Sequence, residues 1–254
     1  MRFDVCAHTY DEHAGPQRFF AERVARFIGA RQAEKILELG AGTGALTRWL
    51  AGARSSSSAR LVSSIDAHAE LELCAPILAT DASPTMVRRG GIAVPQVQWS
   101  VLNAFKQPLP VTALQVSSGL LHWANDPAAT LARWKTFLPP GGRMVHAIPC
   151  EPCLAEWRAF VPESPVPWRS EAEWLKIFER AGLRVIRSQS WTHAAVCDSA
   201  LAMVRGFHRT GVTGRVRVGP ARLRQALRYY DAIHRVAGGV KATWAWLAVE
   251  AVTI

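Results

Sequence analysis

Apolar positions along the chain keep two periods, one helical and one continuous. From Gln17 to Ile28 the side chains of Phe20, Val24, Phe27 and Ile28 recur at helical spacing behind Pro16, a residue suited to a helix start, and they predict an N-terminal helix. Lys35 to Leu39 (KILEL) reads as a buried strand, followed at once by GAGTG and by Ala45 to Ala51, again at helical spacing. Ala75 to Thr80 predicts a second buried strand ending at Asp81, after which Ser83 and Pro84 supply an N-cap and a first-turn proline. Further strands are expected at Val97 to Leu102, Ala113 to Ser118 and Arg143 to Ile148. A helix from Pro127 to Phe137 precedes the stop Pro139-Pro140-Gly141-Gly142.

Strands alternating with helices in this way predict a parallel, doubly wound α/β sheet. After Ile148 the pattern changes to a proline-rich stretch, Pro149 to Trp168. A capped helix over Ser170 to Ala181, a strand over Leu183 to Trp191, helices near Ser199 to His208 and Pro220 to Val236, and a last strand over Ala242 to Val252 follow. The serine-rich segment from Arg54 to Leu73 shows no period and reads as an insertion. At 254 residues one domain is expected, with a core over about 30–150 and a substrate or lid region over about 150–240 joined by the first 30 residues.

Composition narrows the class. The chain is 49% apolar and 20% charged, which suits a packed fold rather than a disordered one. No apolar run could span a bilayer, the N-terminus lacks a secretory core, and five scattered cysteines make no disulfide framework, so a cytoplasmic protein is expected. Cys150 and Cys153 have the spacing of half a zinc site without a second half, and no metal is expected. The net charge of +10 is concentrated: residues 205–241 hold nine basic side chains, among them Arg205, Arg222 and Arg224, against the single acid Asp231.

The glycine loop carries the candidate chemistry. Gly40, Gly42 and Gly44 let the backbone turn after a strand and approach a ligand closely. The spacing G-x-G-x-G, with Glu38 two residues before it, departs from that of dinucleotide sites and favours a ligand with an ammonium group over a pyrophosphate. An acid at the end of the second strand can hold ribose hydroxyls; Asp81 is the expected residue and Asp66 its rival.

LELGAGTG, DASPTM, LNAFKQPLP, SSGLLHWANDP and LPPGGRMVHAI resemble, in order, the successive motifs of class I S-adenosylmethionine methyltransferases. The resemblance implies a Rossmann-like seven-stranded sheet with its last strand antiparallel, helices on both faces and a C-terminal helical lid. It also implies S-adenosylmethionine as cofactor. Gly40, Ala41 and Gly42 would line its methionine end, Asp81 and Ala82 its ribose, Asn103 and Ala104 its adenine, and Ser117 or Ser118 the end of the fourth strand. Asn103 stands where the family commonly has aspartate.

The flanks FDVCAHTYDEHAGPQ, LHWANDPAATLARW, MVRGFHRTGV and GGVKATWAWLAVEA are similar to the malonyl-acyl carrier protein O-methyltransferases of early biotin synthesis. That likeness implies transfer of a methyl group to the free carboxylate of a malonyl thioester. Arg205 would grip the carboxylate, Tyr10 would contact cofactor or substrate, and His122 would line the pocket. Arg222 and Arg224 would help dock an acidic carrier protein onto a monomer that binds neither membrane nor nucleic acid. A methyltransferase for a small organic acid or quinone precursor, and a non-catalytic binding protein of the same fold, are the alternatives.

Overall fold

The computed structural model describes residues 3–29, 35–52, 76–213 and 216–253. The serine-rich segment and Asp66 lie outside them. Chain order begins with two helices, α1 (Phe3–His13) and α2 (Gly15–Ile28), then β1 (Ile36–Leu39) and a helix α3 over residues 45–52. Next come β2 (Ile77–Asp81), α4 (Pro84–Ala93), β3 (Gln98–Val101), β4 (Leu114–Ser118), α5 (Pro127–Lys135) and β5 (Arg143–Pro149). The remainder is α6 (Ala155–Arg158), α7 (Glu171–Arg180), β6 (Leu183–Cys197), α8 (Ala200–Arg209), α9 (Pro220–Ile233), β7 (Arg235–Val236) and β8 (Gly239–Thr253).

The strands form one sheet in the order β3-β2-β1-β4-β5-β8-β6, with β7 paired to β8. β1 to β5 are parallel, and β8 runs antiparallel between β5 and β6. This is the expected sheet with a two-residue eighth strand added. Crossing from β2 through β1 to β4 reverses the direction of winding, and that switch point opens a crevice at the C-terminal strand ends.

Strand periodicity sorts the core into two faces. Leu37, Leu39, Met144, Ile148, Leu247 and Val249 pack with Trp134, Trp174 and Phe178 on one side. Their neighbours Ile36, Val145, Ala147, Trp246 and Ala248 pack with Phe20, Val24 and Ile28 of α2 on the other. A third cluster, with Trp157, Met203, Phe207 and Tyr230, lies beneath the C-terminal helices. Buried Glu250 of β8 is met by Arg143 Nη1 at 2.9 Å and by Arg187 Nε at 2.6 Å, so its charge is paired.

The segment before Pro16, for which no element was expected, is helical: Phe3 and Ala7 turn inward one turn apart while Asp4 occupies the first turn. Two expectations are corrected. β6 continues six residues past Trp191, its outer half paired to β8 from Ala245 to Val240 and alternating between half-buried and exposed. α9 stops at Ile233, and Arg235 and Val236 form β7 instead, turned back onto β8 through Gly238 and Gly239, both at positive φ. Among the described residues no helix is long and apolar enough to cross a membrane.

Candidate active site

Two adjoining cavities open at the C-terminal ends of the parallel strands. The smaller, about 470 Å³, follows the glycine turn after β1. Gly40 and Gly42 adopt φ of +67° and +57°, in the left-handed region. A β-carbon on Gly42 would meet no atom within 4 Å, so this position faces the open cavity. One on Gly40 would instead collide with Leu120 at 2.9 Å.

Asp81, at the end of β2, ties the turn together. Its Oδ2 accepts the Gly42 N–H at 3.0 Å and its Oδ1 the Ser83 N–H at 2.8 Å. A carboxylate has about four acceptor sites, so Asp81, a residue of the cavity wall, has acceptor capacity beyond these bonds. Burial raises the Asp81 pKa, and the N–H groups of Ser83, Gly42 and Ala82 oppose that rise. Ala82, Asn103, Ala104 and Ser118 also line this cavity, with the apolar Met86, Leu102 and Phe105 beside them.

α1 straps the cavity. Asp4 Oδ1 accepts from Ser83 Oγ at 2.6 Å and from Thr85 N–H at 3.3 Å, and the Ser83 bond is the main reason its carboxyl pKa is lowered. At the other end of α1, Asp11 accepts from Thr43 Oγ1 at 2.5 Å and pairs with Arg89 at 3.3 Å. Between them Tyr10 faces both cavities, its pKa pushed up to about 12 by burial and by the charges of Asp81 and Asp11, so it is a neutral hydroxyl donor.

The larger cavity, about 710 Å³, shares Phe3, Tyr10, Ser118, Gly119 and Trp123 with the smaller. Its walls are mainly apolar and come from the connection after β5, from α8, and from Trp244 and Trp246 of β8. His122 lies in this wall, and burial pushes its pKa down to about 3, which leaves a neutral imidazole. Arg158, Arg205 and Arg217 are also in the lining. Arg158 is committed to Glu151 and lies 4.8 Å above the Trp168 ring, whereas Arg205 and Arg217 are exposed at the rim.

Other residues expected at the site lie outside this cavity wall or have partners within the chain. Glu38 is not part of the cavity wall: its Oε2 accepts from Thr47 Oγ1 at 2.7 Å beneath α3, and burial pushes its pKa up to about 7. Ala41 and Gly44 shape the turn from behind, Ala41 N–H donating to Thr80 O at 2.8 Å and Gly44 packing on Trp99. Ser117 points away from the cavity to His146 Nδ1 at 2.8 Å, because successive strand residues face opposite sides, and Ser118 takes its place. The Asn103 side-chain oxygen accepts from Phe105 N–H at 3.1 Å, in a local turn of its own. Arg222 is paired with Glu163, and Arg224 is exposed.

Cys150 and Cys153 are free thiols whose pKa burial pushes up to about 12, and among the described residues no cluster of histidine, cysteine and carboxylate could hold a metal. The sequence reading missed Phe3, Asp4 and Trp246. An acid at the start of a short segment that also carries Tyr10 was the available signal for Asp4. For Trp246 there was none, since its place depends on β8 crossing the sheet.

The methyltransferase domain family matches residues 10–188. The biotin biosynthesis bifunctional protein BioCD of Bordetella avium is 32% identical over 91% of this chain and 48% of its own length. The trans-aconitate 2-methyltransferase of Mycobacterium ulcerans is 33% identical over 56% of this chain and 45% of its own. The chain thus spans about half the length of these two relatives. The malonyl-[acyl-carrier protein] O-methyltransferase of Paenibacillus sp. is 25% identical over 96% of this chain and 94% of its own. Among solved structures, geranyl diphosphate methyltransferase in complex with SAM shares the fold, with a TM-score of 0.53 and 13% identity over 93% of this chain and 81% of that one. The glycine turn joined to a strand-end carboxylate lies within the matched stretch, and the chain belongs to the methyltransferase domain family, whose methyl donor is S-adenosylmethionine.

Proposed function

We propose that the protein methylates the free carboxylate of a malonyl group carried as a thioester on acyl carrier protein. The smaller cavity fits the methyl donor. Gly42 offers a cradle that any β-carbon would fill, Asp81 retains acceptor lone pairs for ribose hydroxyls, and Met86, Leu102 and Phe105 supply apolar surface for a base. When bound, S-adenosylmethionine supplies a methyl group on a cationic sulfur, so that methylation of a carboxylate turns two opposite charges into two neutral products.

The observation that carries the reading is the mainly apolar cavity joined to the cofactor cavity at Tyr10, Ser118 and Gly119. A carboxylate is already ionised at neutral pH, so this chain needs no general base. Its walls exclude water, and loss of charge is favoured where the dielectric is low. Tyr10 donates a neutral hydrogen bond at the junction. Arg205 and Arg217, exposed at the rim, attract the incoming carboxylate and its acidic carrier rather than gripping the reacting group.

Relatives named for trans-aconitate methylation match about half of the chain and give a second reading, a small free organic acid. That substrate carries three carboxylates, and with Arg158 committed to Glu151 and Arg205 and Arg217 exposed at the rim, the inner wall of Val161, Val166, Val204, Phe207 and Leu223 offers them no partner. Initial rates with malonyl-acyl carrier protein, malonyl-coenzyme A and trans-aconitate separate the readings. The carrier-bound thioester is expected to give the highest kcat/KM, and a preference for trans-aconitate would replace this proposal with the second reading.

A further inference from the structure

The larger cavity holds more space than a malonyl group fills. At about 710 Å³ it exceeds the cavity of about 470 Å³ that fits the whole methyl donor, whereas a malonyl group brings only a few carbon and oxygen atoms. Native interiors are close-packed and leave few hollows, so an apolar hollow of this size points to a ligand of matching size.

The inner wall grows out of the third core cluster. Leu154, Trp157, Val161 and Phe207 belong to that cluster, and Val204 of α8 and Leu223 of α9 pack against it. Of the arginine and glutamate residues in the lining, Arg158 is paired with Glu151 and Glu163 with Arg222, while Arg205 and Arg217 are exposed. Tyr10, His122 and Cys153 are neutral at pH 7, burial being the largest cause in each case. The body of an acceptor therefore meets an uncharged, mainly hydrocarbon surface.

We propose that the protein also methylates carboxylates borne on an unbranched apolar chain longer than that of malonate, with the carboxylate at the junction of the two cavities and the chain against Val161, Val204, Phe207 and Leu223. This rests on the carboxylate reading above and extends it to medium-chain acceptors, as free monocarboxylic acids or as carrier thioesters of dicarboxylic acids. A carboxylate oxygen forms the bond to the methyl carbon as the bond from that carbon to the cationic sulfur breaks, leaving a methyl ester and a neutral thioether. Each added methylene leaves water for the wall, and that gain accumulates until the cavity is full.

Initial rates with labelled S-adenosylmethionine test this in two series, one of butanoate, hexanoate, octanoate and decanoate, the other of the acyl carrier protein thioesters of malonate, glutarate and suberate. In at least one series kcat/KM is expected to rise about 3- to 4-fold per added methylene, the effect of taking one methylene out of water, and the series that rises names the source of the chain. Val204→Phe narrows the wall and should lower kcat/KM for the longest accepted chain about 10-fold more than for the shortest, with the Kd for S-adenosylhomocysteine unchanged. An equal effect at every length would place the chain elsewhere and overturn the proposal. Rates that stay flat or fall with length in both series, beside methylation of malonyl-acyl carrier protein, would overturn it while leaving the carboxylate reading intact. A protein that methylates no carboxylate would remove the reading and the proposal together.

Discussion

The backbone N–H of Gly42 lies 3.0 Å from Oδ2 of Asp81, so the glycine turn after β1 is fastened to the end of β2 by the same carboxylate that borders the cofactor cavity. Loop shape and ligand recognition therefore depend on one side chain. Gly42→Val would fill the cavity and place a branched residue at φ +57°, and it should abolish S-adenosylhomocysteine binding measured by calorimetry. Asp81→Ala would leave the Gly42 and Ser83 N–H groups unpaired and should weaken binding by at least about 100-fold. Wild-type affinity in either variant would mean that the cofactor binds elsewhere.

Glu38 gives the fold a pH dependence of its own. Its pKa is about 7 in the fold against an ordinary 4.5, chiefly through burial, so folding favours the protonated form. The stability it contributes is complete below pH 4.5 and is lost as pH rises through 7, a difference on the order of 3 kcal/mol. Glu38→Gln keeps an acceptor for Thr47 and removes the charge. Denaturant unfolding at pH 5 and pH 8 should show a smaller loss in the variant, and equal losses would contradict the assignment.

Glu250 is 3% exposed and pairs with Arg143 and Arg187, whose side chains are 15% and 44% exposed. Glu250→Ala removes the shared acid from between β5, β8 and β6. The more exposed Arg187 recovers solvent, so a loss of about 3 kcal/mol is expected, at the lower end for a broken buried pair. A thermal midpoint within 2 °C of wild type would show that the pair contributes little.

The rim arginines predict a salt effect. Because Arg222 is paired with Glu163, Arg217 and Arg224 are the better candidates for meeting an acidic carrier. Neutralising both should raise KM for malonyl-acyl carrier protein several-fold with kcat unchanged. Added salt should do the same to the wild type, since exposed charges are screened over about 10 Å at 0.1 M. A salt-independent KM would remove carrier docking from these residues.

The parallel half of the fold was legible in the sequence because β1, β2 and β4 are short, mainly apolar runs that end at a glycine, an aspartate and a serine, and Asp126 and Ser170 cap their helices as such residues should. The glycine turn and Asp81 were legible for the same reason, as backbone chemistry written in one stretch. Long-range geometry was not. Glu38 looks like a ligand until α3 brings Thr47 onto it, and the choice between Ser117 and Ser118 is settled by strand facing. Trp246 reaches the junction through a strand inserted between β5 and β6, which no local pattern announces.

Whether the two joined cavities serve methyl transfer to a carboxylate is read from the chemistry of the product. Protein incubated with methyl-labelled S-adenosylmethionine and malonyl-acyl carrier protein should yield a carrier heavier by one methyl group. Mild base should release that label as volatile methanol, the signature of a methyl ester. Label that stays on the carrier after base, or no transfer to any carboxylate acceptor while cofactor still binds, would contradict it.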